Sequence, residues 1–152
     1  MTPGACNRYL YLIYVHMLDE AMRRLLDFDC RRYWLANGWS VRIRVAEVAA
    51  SAARPHAIKY AFTLHDHDGS RLLGFDNAHG IPRAHTYDHR HKFRRTRQVV
   101  AYEFRGADEL ICDFFAAVEE ACRQEEVPFE FESDQVELEV EEDNDDDTQI
   151  VD

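Results

Sequence analysis

The spacing of apolar residues along the chain changes from a helical period to a strand period and back. Between Tyr9 and Leu26 apolar side chains recur three and four residues apart, which predicts an amphipathic helix. A second helical pattern runs from Asp108 to Arg123. Asp108 and Glu109 lie in its first turn, where acids face the positive end of the helix dipole. We therefore expect one helix near each end of the folded region.

The central part of the chain alternates apolar and polar residues, as strands with one buried face do. The Asn37-Gly38 dipeptide favours a hairpin turn that needs positive φ angles, and Asn77–Arg90 reads as a polar loop. The predicted strands are Tyr33–Leu35, Trp39–Val45, Ile58–His65, Arg71–Asp76 and Val99–Phe104. The pattern predicts an α+β fold, a small antiparallel sheet of about four to six strands packed by an N-terminal and a C-terminal helix.

Charge divides the chain into two unlike parts. Residues 1–106 carry 17 Lys and Arg against 10 Asp and Glu, whereas residues 107–152 carry 1 against 19. We expect residues 1–128 to form a single domain, with 1–26 as a helical extension. Residues 129–152 form an acidic extension, in which one edge strand precedes a disordered tail. A basic body joined to an acidic segment indicates a nucleic-acid partner, or a segment that imitates nucleic acid.

The composition also limits the class of protein. The apolar run Tyr9–Leu18 has only ten residues, fewer than the roughly 20 that a membrane span requires. It has no small-residue cleavage site, so a cytoplasmic protein without membrane association is expected. The four cysteines form no CxxC pair, and we expect neither a structural zinc site nor another cofactor.

Four of the eight histidines lie between His79 and His91, inside the polar segment Asp76–His91. If the backbone is extended there, His89 and His91 share one face. Asp88, Arg90 and Lys92 then share the other face. Three uses of this segment remain open.

The first use is metal-independent cleavage of RNA. RNA carries its own nucleophile, the 2′-hydroxyl, so the protein has to supply a base, an acid and cations. Histidine, with an ordinary pKa near 6.5, can act as either base or acid. The candidate catalytic residues are His89, His91, Asp88, His79 and Asp76, with His89 and His91 as the acid/base pair. The candidate nucleic-acid-binding residues are Arg90, Lys92, Arg94, Arg95, Arg42 and Arg44.

The second use is a metal site, although the spacing matches no zinc motif. Its candidate ligands are Asp76, His79, His85, His89 and His91. The third is a structural network, in which Asp76 and Asn77 cap a turn and the histidines form hydrogen bonds or lie in solvent.

The strings Gly74-Phe-Asp-Asn-Ala-His79 and Tyr87-Asp-His-Arg-His91 are fairly specific, and further matches lie at Arg54–Tyr60 and Thr63–Asp66. With them, the stretch from about Leu25 to Val127 resembles the TumE family, small prokaryotic toxins of type II toxin–antitoxin modules. The resemblance implies a toxin that arrests growth and is encoded beside a helix-turn-helix antitoxin. By position, the family's polar centre corresponds to Asp76, Asn77, His79, Asp88, His89 and His91.

The leading hypothesis is therefore a toxin that acts on RNA as a metal-independent ribonuclease. The alternative is a non-catalytic binding protein, in which the acidic extension imitates nucleic acid and blocks a partner. The apolar N-terminal helix also favours a homodimer or a contact with the antitoxin.

Overall fold

The computed structural model describes residues 12, 13, 16, 20–82, 84–132 and 137–138. Helix α1 covers residues 20–26, and residues 12, 13 and 16 are also helical. Helix α2 covers Ala107–Gln124. The strands are β1 (Arg31–Trp34), β2 (Ser40–Glu47), β3 (Ile58–His65), β4 (Arg71–Asp76), β5 (His89–Lys92), β6 (Arg95–Ala101) and β7 (Glu137–Leu138).

The strands form one sheet in the order β6-β5-β4-β3-β2-β1-β7, and every neighbouring pair is antiparallel. The first six strands follow one another along the sheet in chain order. The two-residue β7 returns to pair with the outer edge of β1. An antiparallel sheet with one helix before β1 and one helix after β6 confirms the predicted α+β fold.

The core lies between one face of the sheet and the two helices. On β3 the alternate residues Ile58, Tyr60, Phe62 and Leu64 are buried, and the Phe62 ring packs 5.4 Å from that of Phe114 on α2. Leu25 of α1 is also fully buried in this core. Burial of such side chains contributes about 1.5–3 kcal/mol each. Both helices therefore pack on the same face.

The opposite face of the sheet is mostly polar, and we call it the polar face. The described residues place no helix over it. On β2 it carries Arg42 and Arg44, as their alternation with Val41, Ile43 and Val45 predicted. Strand pairing continues this face across β3 and β4 to His89 and His91.

Two local predictions need correction. In the first turn only Gly38 has a positive φ, of 89°, and Asn37 does not. The Leu35 carbonyl accepts the Gly38 N–H, and the Leu35 N–H bonds to Trp39, so the turn is the three-residue type with glycine in the left-handed position. The predicted strand Val99–Phe104 is also shifted, because β6 begins at Arg95 and ends at Ala101.

The hairpin formed by β5 and β6 was not predicted. Its turn is only Phe93 and Arg94, with Arg94 at a φ of 55°. Most side chains of β6 are exposed, since it forms the edge of the sheet. An edge strand with polar residues on both faces lacks the alternation that reveals a strand in sequence.

Little of the acidic extension is described. Phe131 forms an isolated bridge with Leu35, and Glu137–Leu138 pairs with β1, which agrees with an edge strand in this segment. The rest of the predicted tail lies outside the described residues, and with it most of the segment expected to imitate nucleic acid. The start of the predicted N-terminal helix also lies outside them. The domain boundary at residue 128 stays a prediction.

Candidate catalytic site on the polar face

Strand register brings together three residues that are distant in sequence. Asp76 on β4 pairs directly with His89 on β5. His91 is two residues further along β5 and therefore projects from the same face. We call Asp76, His89 and His91 the Asp76 cluster.

The side chains of the Asp76 cluster converge through their reactive atoms. The Nε2 atom of His89 lies 3.0 Å from Oδ1 of Asp76, and that of His91 lies 3.1 Å from Oδ2. The two Nε2 atoms are 3.2 Å apart. The side chain of Asp76 is only 10% exposed, that of His89 5% and that of His91 13%. Lone pairs of two imidazoles and one carboxylate therefore meet in a small, nearly enclosed space.

The other ring nitrogen of each histidine faces a backbone carbonyl. Nδ1 of His89 lies 2.7 Å from the Tyr87 oxygen, and Nδ1 of His91 lies 2.7 Å from the Thr96 oxygen. A carbonyl only accepts hydrogen bonds, so both Nδ1 atoms carry the proton. In its neutral form each ring then presents an unprotonated Nε2 to the cluster.

Asn77 holds the end of β4 in place. Its buried side-chain amide accepts a hydrogen bond from the Tyr60 N–H and donates one to the Ile58 carbonyl. Arg54 secures the following turn, since its guanidinium donates to the carbonyls of Asn77 and Ala78. The Ala78 N–H lies 3.3 Å from Oδ1 of Asp76. Asn77 therefore supports the position of Asp76, which agrees with the structural role considered for Asn77 from the sequence.

Asp88 belongs to a different network. It precedes His89 and therefore lies towards the other face of the sheet, where its carboxylate is 3.0 Å from Nε2 of His56 and accepts from the Tyr60 hydroxyl at 2.8 Å. Burial alone raises the pKa of Asp88, but the hydrogen bonds from His56 and Tyr60 outweigh it and hold that pKa below its ordinary value. Burial raises the pKa of the Tyr60 hydroxyl far above its ordinary value, so it remains a donor.

Two of the four neighbouring histidines are not part of the cluster. His79 and His85 lie in the loop between β4 and β5, and both are exposed. His56, by contrast, is a largely buried residue of the Asp88 network that the chemistry of the segment Asp76–His91 did not indicate. Its place in the Arg54–Tyr60 match was its only signal in sequence.

Three arginines share the polar face with the Asp76 cluster: Arg32, Arg42 and Arg71, which we call the arginine patch. They surround His65, whose pKa is lowered first by burial and further by these three positive charges. The guanidinium of Arg71 also lies 3.4 Å from the His91 ring. None of the three forms an ion pair with a carboxylate in the described part of the chain.

Four buried polar atoms near this patch lack a hydrogen-bond partner among the described residues. They are the Nε atoms of Arg32 and Arg42, Nε1 of Trp34 and Oγ of Ser40. Register places all four side chains on the polar face, in two adjacent cross-strand rows. Buried polar atoms without a partner are rare in folded proteins, and each calls for an explanation such as a bound water, ion or ligand.

The predicted nucleic-acid-binding residues are divided between the two faces. Arg42 and Arg44 lie on the polar face, and Arg44 is 3.6 Å from the Asp29 carboxylate. Arg90 alternates with His89 and His91 and points to the α2 side, where Arg90, Lys92 and Arg95 line a cavity of 770 Å³. Arg94 is ion-paired with Glu125. Sequence reasoning missed Arg32 in β1 and Arg71 at the start of β4, because strand pairing decides where both lie.

The spacing within the Asp76 cluster limits its chemistry. In RNA cleavage the attacking 2′-oxygen and the leaving 5′-oxygen lie on opposite sides of the phosphorus. A separate base and acid each have to reach one of these oxygens at about 2.6–3.2 Å. Two nitrogens 3.2 Å apart reach the same atom rather than opposite ones. The cluster is therefore arranged to act as one unit, and the acid/base pair inferred from sequence stays a prediction.

A family model described as toxin TumE matches residues 36–122, a range that includes the Asp76 cluster and two members of the arginine patch. No curated protein and no solved structure matches the chain significantly. Within the described ranges, no helix combines the length and the apolar character of a membrane span. With more than half of its length matched by this model, the chain belongs to the TumE toxin family.

Proposed function

We propose that this toxin acts in the cytoplasm by cleaving RNA, with the Asp76 cluster as the catalytic centre and the arginine patch as the phosphate-binding surface. The observation that carries the proposal is that both lie on one sheet face, where the Arg71 guanidinium is 3.4 Å from Nδ1 of His91. Neighbouring strands are about 4.8 Å apart. An RNA strand lying across β1 to β5 therefore passes from the arginines to the cluster.

The arginine patch has the properties that phosphate binding requires. Guanidinium groups donate paired hydrogen bonds to phosphate oxygens, and the Nε–H groups of Arg32 and Arg42 have no partner among the described residues. Trp34, which lies 4.3 Å below the Arg32 guanidinium, adds a flat ring at the far end of the same surface. Aromatic rings on a sheet surface stack well with unpaired bases. These features favour single-stranded RNA over a duplex.

The proposed reaction is a transesterification within RNA. The 2′-oxygen forms a bond to the adjacent phosphorus and loses its proton, which is taken up at the Asp76 cluster. The bond from phosphorus to the 5′-oxygen breaks, and a solvent water on that side of the phosphorus gives the leaving oxygen a proton. The products are a 2′,3′-cyclic phosphate and a 5′-hydroxyl. The chain itself has to hold the phosphate and manage the protons, because RNA supplies the nucleophile.

The test combines cell growth with RNA integrity. We expect expression of the wild type to arrest growth and fragment cellular RNA, and Asp76→Asn to abolish both. Arg42→Ala and Arg71→Ala should each reduce cleavage by at least about tenfold, since a hydrogen bond to a charged group contributes about 1.5–3 kcal/mol. Arg123→Ala is the matched control, because this exposed arginine lies on α2, away from the polar face.

An oligoribonucleotide with a single 2′-deoxy residue at the cleavage position should resist the purified chain. Growth arrest with fully intact RNA would overturn the proposal, and so would equal activity of Arg42→Ala, Arg71→Ala and wild type.

Membership of the toxin family supports an antitoxin partner. We propose that this partner is a helix-turn-helix protein, and co-expression of such a neighbour should restore growth. A homodimer stays a prediction.

A further inference from the structure

We infer that the Asp76 cluster binds one divalent transition-metal ion through the carboxylate of Asp76 and the Nε2 atoms of His89 and His91. The inference concerns metal binding by these three residues, and only the use of the ion in catalysis rests on the proposed RNA cleavage. It departs from the sequence-based expectation of a chain without a metal, and it narrows the five ligands considered from sequence to three.

The ligand atoms of the cluster face one another around a space that a cation can fill. Both Nδ1 atoms donate to backbone carbonyls, so the neutral rings direct two lone pairs at each other across 3.2 Å, with a carboxylate about 3 Å from each. No donor lies between them in that state. A bound cation satisfies all three groups at once.

The distances fit a metal ion. Zinc lies about 2.0–2.1 Å from histidine nitrogen and about 2.0–2.2 Å from carboxylate oxygen. An ion at that distance from both Nε2 atoms makes an angle of about 100° with them. This angle lies between the octahedral and tetrahedral values. The ligand atoms of the three residues lie within 4.8 Å of one another, and no other such group of His, Cys, Asp and Glu occurs among the described residues.

The surroundings resemble those of metal-binding histidines. Such residues usually donate their second ring N–H to a backbone carbonyl or a carboxylate, which fixes the ring and its tautomer. His89 and His91 both do so, to Tyr87 and Thr96. The Ala78 N–H approaches the carboxylate of Asp76 in the same supporting manner. The ligands are thus oriented by the backbone of β5, β6 and the turn after β4.

Three protein ligands leave coordination positions open, which is typical of catalytic rather than structural metal sites. Two imidazoles and one carboxylate favour zinc, manganese, iron, cobalt or nickel over magnesium, which prefers oxygen ligands. In the proposed cleavage, a hydroxide held by the ion would take the proton of the 2′-hydroxyl and become water. The 5′-oxygen, on the opposite side of the phosphorus, would receive its proton from solvent as its bond to phosphorus breaks.

The experiment measures metal binding by the full chain, without RNA. After treatment with a chelator, wild type is titrated with Zn²⁺, Mn²⁺ and Mg²⁺ in a calorimeter. We expect one tight Zn²⁺ site per chain, a weaker Mn²⁺ site and no comparable Mg²⁺ site. His91→Ala should weaken Zn²⁺ binding by more than about 100-fold, because even supporting residues of such sites contribute 10- to 100-fold. The acidic extension is present in every variant, so its own weak binding cancels in the comparison.

His79→Ala is the matched control, since this exposed histidine lies in the adjoining loop, and it should bind like wild type. Circular dichroism of His91→Ala serves to check that this variant is folded. X-ray absorption at the zinc edge of wild type gives a readout that needs no variant, and two imidazole ligands are expected. Equal Zn²⁺ affinity of wild type and His91→Ala, or a zinc spectrum without imidazole, would overturn the inference.

The two proposals fail in different ways. If the metal-free chain cleaves RNA as fast as the zinc-loaded chain, the ion has no part in catalysis, while the ribonuclease proposal stands. If zinc binds with two histidine ligands but RNA stays intact under growth arrest, the metal site stands and RNA cleavage is rejected.

Discussion

Replacing Asn77 by alanine tests whether the end of β4 is held by a side chain that takes the place of backbone. Strand β4 ends at Asp76, yet Asn77 extends its hydrogen bonding with β3 by one more residue. The Asn77 N–H bonds to the Tyr60 carbonyl at 3.2 Å. The Asn77 amide accepts the Tyr60 N–H at 2.9 Å and donates to the Ile58 carbonyl at 2.6 Å. Asn77 itself is 0% exposed.

The expected cost follows from the two groups that lose their partner. In Asn77→Ala the Tyr60 N–H and the Ile58 carbonyl remain buried, and each unsatisfied group costs about 1–3 kcal/mol. Water can relieve part of this cost only if it enters the space left by the amide. We expect the free energy of unfolding to fall by about 2–5 kcal/mol, a large part of the stability of a small domain.

Urea denaturation followed by tryptophan fluorescence measures this change, because Trp34 and Trp39 both lie in or beside the first hairpin. Asn37→Ala is the control, since it removes the same amide from a half-buried turn where it accepts only one bond, from the Trp39 N–H. The control should lose about 0.5–1.5 kcal/mol. Equal losses for the two variants, or a loss below about 1 kcal/mol for Asn77→Ala, would refute the argument.

Two further predictions concern the buried hydrogen bonds of tyrosine and aspartate. Tyr60→Phe removes the donor to the Asp88 carboxylate and should lower the free energy of unfolding by about 1.5–3 kcal/mol in urea denaturation; a loss under about 0.5 kcal/mol would contradict this role. Asp113 accepts from Tyr102 and Arg105, and these bonds outweigh burial, which alone raises its pKa, so the pKa of Asp113 is lowered. Its ionised form therefore stabilises the fold above its ordinary pKa, and this contribution is lost as the pH falls through the lowered value. The free energy of unfolding of the wild type should exceed that of Asp113→Asn by about 1–2 kcal/mol at pH 7, and the difference should disappear in acid. Thermal melts at several pH values measure this difference, and a difference independent of pH would contradict the prediction.

The sequence alone determined the elements that bury one regular face. The ranges Ile58–His65 and Arg71–Asp76 coincide with β3 and β4, and the predicted helix Asp108–Arg123 differs from α2 by one residue at each end. Regular burial leaves a periodic pattern, which local reading detects. The same reading found that His89 and His91 share a face, since that follows from strand geometry alone.

Only the tertiary structure decided which groups work together. Asp76 and Asp88 were both candidate catalytic residues from the sequence, yet pairing of β4 with β5 brings Asp76 to His89, while Asp88 lies with His56 and Tyr60. Register between strands is a long-range property, and a shift of one residue exchanges the two faces. For the same reason the arginines that adjoin the site include Arg71 from the start of β4 rather than Arg90, which is next to His89 and His91 in sequence but faces α2.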